Sequence, residues 1–468
     1  MRRIGRVARG VVALLAVAIV GVVTWLIGWV LPIATGAAAK TVCSDVFVAG
    51  RDPAGLLDVE VPSAAFVDYE VDRAARRVTA SALGLAEKTA VARPGLGCVL
   101  ALEAAPEALQ AEGFEPTPRP DATAGLPWPE GQAIQEGDPP GLDRPALTAA
   151  IDAIFTEDGD GPPLNTRAVV IVAGGRIVAE RYAPGFTADT PQLGWSMTKS
   201  VTSALIGVLA GRGQLDIDAP IGFAAWQGDE RRAITWDQLL RMSSGLAFEE
   251  EYSLRSDVTV MLFDLHDSSA LPLAQGLAAP IDSVWYYSSG TTNLLSRRIR
   301  EVVGDDKAYR RLAHDALFVP IGMHSAVMEA DASGVLLGSS FMYATPRDWA
   351  RFGLLYLRGG VWGERRILPA GWVERSITPT PTHPDAGYGL QWWLNAAKDP
   401  ERRPYPGVPA DAYFASGHQG QVILVVPSRD AVIVRFGMTN GRKWPRDAFA
   451  TAVLAALPPG NPPPVREG

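Results

Sequence analysis

A serine and a lysine stand three residues apart in the stretch WSMTKS, as Ser196 and Lys199, and apolar residues follow them at helical spacing. Val201, Ala204, Leu205, Val208 and Leu209 recur at i, i+3, i+4, i+7 and i+8, which predicts a helix buried along one face. The pair then shares one side of that helix's first turn. A serine hydroxyl is a poor nucleophile until a neighbour accepts its proton. A lysine at a buried helix start is desolvated and lies near the positive end of the helix dipole, and both effects disfavour its charged form. Lys199 could therefore take the proton of Ser196, with backbone N–H groups at the helix start facing a developing oxyanion. Ser-x-x-Lys alone is a weak signal; at the head of an apolar helix it is a moderate one.

Further segments carry candidate chemistry. WYYSSGTTNLL contains Tyr287 and Ser289, and SGHQGQ contains His418, Gly420 and Gln421. Read alone, Tyr287 could be a core aromatic and His418 a loop histidine. With WSMTKS, ITWDQLLRMSSGL, YATPRDWARFGLLYL and GERRILPAGWV, in that order along the chain, these segments resemble the serine β-lactamase and penicillin-binding-protein superfamily. The branch they are similar to holds class C β-lactamases, related esterases and 6-aminohexanoate-oligomer hydrolases. The resemblance covers about residues 143–457 and implies a serine hydrolase acting on a small ester or amide, expected to be exported on the N-terminal pattern described below. It implies that Ser196 forms an acyl-enzyme and that Lys199 and Tyr287 share proton transfer, either being the base. It also implies an oxyanion hole from the backbone N–H groups of Ser196 and Gln421, beside His418 and Gly420.

Two positions depart from that pattern. Ser289 stands where the family has the asparagine of Tyr-Ser-Asn, and a hydroxyl lacks the paired donor and acceptor of an amide. His418 stands at the lysine of Lys-Thr-Gly, and a histidine is mostly neutral at pH 7. Both changes count against β-lactam or D-Ala-D-Ala peptide chemistry, which remains the alternative enzyme reading. A catalytically silent binding protein with this fold is the reading from another class. Trp392 and Trp393 belong to the core or to a pocket wall, and His266 reads as a packing or surface histidine.

The elements that must position these residues follow from the rest of the chain. RAVVIVAGGRIVAERY predicts a hairpin turning at Gly174-Gly175, and YGLQWWL, QVILVVP and AVIVRFG predict later strands, with helices between. The expected class is α/β (α+β), a β-lactamase/transpeptidase-like fold. An antiparallel sheet assembled from both ends of the domain is flanked by helices, beside a mainly helical subdomain. The expected organisation is an anchor or signal at 1–40, a small region and connector at 41–142, the hydrolase domain at 143–457 and a Pro-rich tail at 458–468.

The chain has 468 residues and a formal net charge of -8, which argues against nucleic acid as a partner. Arg2, Arg3, Arg6 and Arg9 precede an uncharged apolar run from Val11 to about Ala34, long enough to cross a bilayer. The arginine side is expected to be cytoplasmic, giving a single-pass inner-membrane protein with its body outside. A signal peptide cut near Ala37-x-Ala39 is the competing reading. The two cysteines, Cys43 and Cys98, follow the run; a disulfide is the simplest expectation outside the cytoplasm, and two free thiols the alternative. The five histidines lack metal-ligand spacing, so no metal or other cofactor is expected. The oligomeric state is not legible.

Overall fold

The computed structural model describes residues 14–18, 21, 24–123, 125–157, 161–252, 255–441 and 443–460. Helix α1 (Leu31–Phe47) follows directly on a wider turn at Leu26–Val30. From Thr35 to Val46 every residue of α1 is buried, because its small side chains let it lie close against a sheet. That sheet is an antiparallel meander of β1 (Asp68–Asp72), β2 (Arg77–Ala82), β3 (Leu85–Arg93) and β4 (Gly97–Leu100). Val78, Ala80 and Ala82 of β2 point at α1, and the residues between them face outward, as expected of a sheet covered on one side. Cys43 of α1 and Cys98 of β4 are joined by a disulfide, with Cα atoms 6.0 Å apart.

This arrangement alters the reading of the N-terminus. Ile27–Phe47 is a helix long and apolar enough to cross a membrane, but most of it is buried inside the protein. The boundary drawn at residue 40 falls in the middle of α1, and the last residues of the apolar run already pack against the body. A buried core helix and a membrane-crossing helix share the same apolar composition, so composition alone cannot separate them. Ala37 and Ala39, the small-residue pair of the cleavage reading, are buried mid-helix. Among the described residues of this run, the exposed large apolar side chains are Leu14, Leu15, Val17, Trp25 and Trp29.

The larger body begins at helix α2 (Arg144–Phe155), whose first turn is capped by the Asp143 carboxylate accepting from Ala146 N–H at 3.0 Å. Strands β5 (Thr166–Ala173) and β6 (Arg176–Tyr182) form the expected hairpin about Gly174-Gly175. Then come α3 (Thr198–Gly211), α4 (Asp257–Phe263), α5 (Ser289–Val303) and α6 (Pro346–Leu357). The chain returns to the sheet as β7 (Trp393–Leu394), β8 (Tyr413–Gly417), β9 (Gln421–Val426) and β10 (Ala431–Gly437), and closes with α7 (Arg446–Ala456). The order β7-β8-β9-β10-β5-β6 is antiparallel throughout, with the late strand β10 paired to the early strand β5. Ala168, Val170 and Val172 of β5 face the core shared with α3 and α6, while Val169, Ile171 and Ala173 face α2 and α7. Covering both faces explains why these strands read as unbroken apolar runs.

Candidate active site

Ser196 lies in the tight turn Trp195–Met197 that opens α3. Trp195 has φ +48°, a conformation that costs a bulky side chain on the order of 1–3 kcal/mol and persists only where packing enforces it. Its indole is held by Phe341 and His418, with ring centroids 5.5 Å away in each case. The turn lies against β8. A Cβ built on Gly417 would stand 2.2 Å from the Gly194 carbonyl, so only glycine lets the two backbones approach. Strand β7 pairs only with Tyr413 and Phe414, which leaves the β8 edge from Ala415 onward facing the Ser196 turn.

Lys199 is buried, at 1% exposure. Its Nζ reaches Ser196 Oγ at 3.1 Å, Ser289 Oγ at 2.9 Å and the Ser339 carbonyl at 2.9 Å. Burial pushes the ammonium down to about 8, against a smaller upward pull from Glu250. A neutral amine has two N–H groups and one lone pair. Here Ser289 and Ser339 supply acceptors for the two N–H groups, leaving the lone pair for Ser196. Tyr287, half-buried, is hydrogen-bonded to Ser196, and its ring centroid lies 4.8 Å from Lys199 Nζ. Burial raises the Tyr287 phenol well above its ordinary value; the Ser196 bond opposes this, and Glu250 and Tyr252 add to it. The structure therefore brings Ser196, Lys199, Tyr287 and Ser289 together.

Ser289 has a partner that sequence reasoning missed. Glu250 accepts from the Ser289 N–H and from Ser289 Oγ, both at 2.6 Å. With Lys199 donating to the same Oγ, the hydroxyl links ammonium to carboxylate. Glu250 sits in the acidic run FEEEY, and nothing in the sequence points across 39 positions to Ser289. Tyr252 of the same loop stacks on His418, with centroids 5.2 Å apart and planes 16° from parallel. His418 is thus an exposed ring between Tyr252 and Trp195, and desolvation by its neighbours holds its imidazole below the ordinary range.

Gly420 and Gln421 lie in the turn and the strand that follow His418. Gln421 stands opposite Gly417 in the β8–β9 ladder. Its side-chain amide bonds the His418 carbonyl at 3.0 Å and takes the Gly437 N–H at 2.9 Å. It lines a small cavity behind Trp195 together with Asp45, Arg51, Glu60 and Arg167, so its side chain serves the sheet. Gly420, at φ +92°, completes the turn where a Cβ would meet Arg435 and Trp444. The open tryptophan question resolves by side. Trp392 is fully buried among Phe352, Tyr356 and Tyr413, whereas Trp393 stacks on Tyr287 at 5.4 Å. His266 bonds the Leu102 carbonyl at 2.6 Å and joins the two parts of the chain away from Ser196. Among the described residues no cluster of His, Cys, Asp and Glu could hold a metal ion.

Known proteins share this framework. The chain is 25% identical over 312 residues to a 6-aminohexanoate-dimer hydrolase of Paenarthrobacter ureafaciens, covering 60% of this chain and 73% of that protein. A family VIII carboxylesterase matches in structure with TM-score 0.53 and 19% identity, over 69% of this chain and all of that one. A penicillin-binding protein homologue from Caulobacter crescentus matches with TM-score 0.52 and 17% identity, over 69% and 100%. At those identities the two structures speak to the fold alone. Residues 151–458 match the sequence profile of the β-lactamase family, which is well over half of the chain, and on that match the protein belongs to the β-lactamase family.

Proposed function

We propose that this protein is a membrane-anchored, exported serine hydrolase that cleaves a small ester or amide through an acyl-enzyme on Ser196. The observation that carries the reading is the buried, hydrogen-bonded Lys199 amine 3.1 Å from Ser196 Oγ, with its pKa pushed down to about 8. Ser196 Oγ attacks the substrate carbonyl and Lys199 takes its proton. As the tetrahedral species collapses, the proton passes to the leaving oxygen or nitrogen, with Tyr287 as donor on the same side. Water then attacks the acyl-serine with the same groups in reverse order. Tyr287 is the poorer base, because its phenol is held further from ionisation than Lys199 is from neutrality. The oxyanion is received by the Ser196 N–H and by the β8 edge at Gly417–His418, a position that the geometry favours over Gln421.

The site's charge supports a neutral or amine-bearing substrate over a carboxylate. Glu250 places a carboxylate behind Ser289, and His418 supplies no fixed cation. A neutral ester, or an amide with an amine on its acyl part and its carboxylate five methylenes from the scissile bond as in 6-aminohexanoate dimer, fits these surroundings better than a β-lactam or an acyl-D-Ala-D-Ala peptide, whose carboxylate lies close to that bond. The test is a fluorophosphonate probe followed by p-nitrophenyl esters, 6-aminohexanoate dimer, nitrocefin and a D-Ala-D-Ala peptide. Labelling of the native chain and none of Ser196→Ala is expected, with turnover of the first two substrates. Equal labelling of both proteins would remove Ser196 as nucleophile, and no labelling of either would favour a silent binding protein.

A further inference from the structure

The hairpin joining β2 and β3 turns through two residues, Leu83 and Gly84, at φ +52° and +72°. Two-residue turns of this handedness favour Asn-Gly or Asp-Gly, because both positions need positive φ. A leucine there is sterically unfavourable, and this one is 87% exposed, with Leu85 beside it at 44%. Among the described residues, Leu83 is left almost bare and Leu85 about half so.

The tip's position says what could. Ala86 of β3 accepts a hydrogen bond from Thr35 Oγ1 of α1 at 2.6 Å, and further along the pair Cys98 of β4 is bonded to Cys43. Strand β3 therefore runs beside α1 in the same direction. Three residues of strand from Ala86 back to Leu83 cover about 10 Å, the rise of about six or seven helical residues, which sets Leu83 level with about Trp29. β3 packs against the Leu26–Val30 turn, consistent with that register. Charge begins on the other side of this level, with Glu87 and Lys88 on β3 and Lys40 on α1. The uncharged positions from Val11 to Trp29 would span about 28 Å as helix, close to a bilayer's hydrocarbon thickness. Exposed Trp25 and Trp29 then fall where aromatic residues gather at a membrane surface.

The loop over the candidate active site is tied to the same place. Arg255 donates to the Trp29 carbonyl at 3.1 Å and lies 4.9 Å from the centre of its ring. Asp264 holds Arg255 at 3.3 Å and Lys88 of β3 at 3.0 Å, which joins loop, helix and strand. Tyr252, which stacks on His418, is three residues from Arg255, so their Cα atoms are at most about 11 Å apart.

We propose that the Leu83–Leu85 tip seats in the membrane surface beside the root of the anchor, turning the mouth of the site toward acyl esters or amides carried by the bilayer. The membrane seat rests on the retained anchor, and the substrate class rests on the hydrolase reading above. The experiment uses the full chain in phosphatidylethanolamine–phosphatidylglycerol vesicles. Cys43 and Cys98 are bonded to each other, so Leu83→Cys offers a single thiol for an environment-sensitive fluorophore. Strong quenching by lipids with a nitroxide near the headgroup is expected. A label at Glu364→Cys, on the exposed 361–366 hairpin by the end of α3 remote from Ser196, should not be quenched. A Leu83 label open to aqueous iodide in chains that remain with the vesicles would overturn the seat. Leu83→Asp with Leu85→Asp should slow hydrolysis of a vesicle-borne long-chain ester about tenfold or more and leave a soluble butyrate ester unchanged. Equal loss on both would overturn the membrane-facing role. Fluorophosphonate labelling of Ser196 and N-terminal sequencing in the same vesicles report separately on the hydrolase and anchor readings.

Discussion

Glu250→Gln isolates the charge behind Lys199 while keeping the side chain's shape. The two charges are joined through Ser289 Oγ, by steps of 2.6 Å and 2.9 Å. At a separation of about 5 Å and an effective dielectric constant of about 20, their attraction is about 3 kcal/mol, or about two pKa units at most. That attraction favours the ammonium, so it raises the Lys199 pKa against the larger effect of burial. Removing it lowers the pKa below its present value of about 8. In the native protein kcat/KM should rise with pH and level off above about 8, as the neutral amine becomes the major form. In Glu250→Gln the midpoint should move down by about one to two units. The plateau should fall as well, because an amide cannot accept from both Ser289 N–H and Ser289 Oγ. The assay is the pre-steady-state burst on an activated ester between pH 5 and 10, with circular dichroism at each pH. A midpoint that stays at 8 or moves up would refute the assignment of Lys199 as base and Glu250 as the charge that tunes it.

Lys199→Ala should reduce the acylation burst by about 10²–10⁴-fold in a folded protein, and Lys199→Arg should not restore it, because a guanidinium keeps its proton; near-normal acylation in Lys199→Arg would mean the lysine acts only as a charge. Lys199→Met should raise stability in denaturant titrations. The folded pKa of about 8 lies below the model value of 10.5, so the native state binds fewer protons between those limits, and the lysine's cost is full below pH 8 and gone above 10.5. That cost is up to about 3 kcal/mol, so a gain present at pH 7 and equal at pH 11 would contradict it. Glu329→Leu should destabilise by about 3–5 kcal/mol, because it strands the buried Lys40 ammonium; Lys40→Met in the same chain should recover most of the loss in melting temperature. Reducing the Cys43–Cys98 bond, which closes a 55-residue separation, should cost about 4 kcal/mol, seen as earlier proteolysis between α1 and β4.

The parts of the site that were legible share one property: their partners are near in sequence, or they sit in segments with a recognisable order. Ser196 and Lys199 lie one helical turn apart, and the β-branched runs on either side of Gly174-Gly175 in RAVVIVAGGRIVAERY sufficed for the β5–β6 hairpin. Residues that act by reaching across the fold left no such trace. Glu250 is one of three consecutive glutamates, and only folding chooses the one that meets Ser289. Gln421 carries the right sequence position for an oxyanion donor through its backbone N–H; what the sequence left unseen is that the hairpin presents Gly417 to the Ser196 turn and sends the glutamine side chain to β10. That residue 40 lies inside a buried helix was hidden for a related reason. Hydropathy registers that a residue leaves water and is blind to whether lipid or protein receives it. α1 goes from partly exposed to fully buried within a few residues, and the change shows instead in side-chain size. Bulky Leu, Val and Trp occur where the described helix lacks protein cover, and Ala, Thr and Ser occur where it must approach a sheet closely. The same helix brings its buried face to Trp195 and Phe341, the two rings behind the Ser196 turn. Cutting the chain at residue 40 would therefore remove part of the wall that holds Trp195 in its strained conformation, so the hydrolase body and its N-terminal helix are one packing unit around the site.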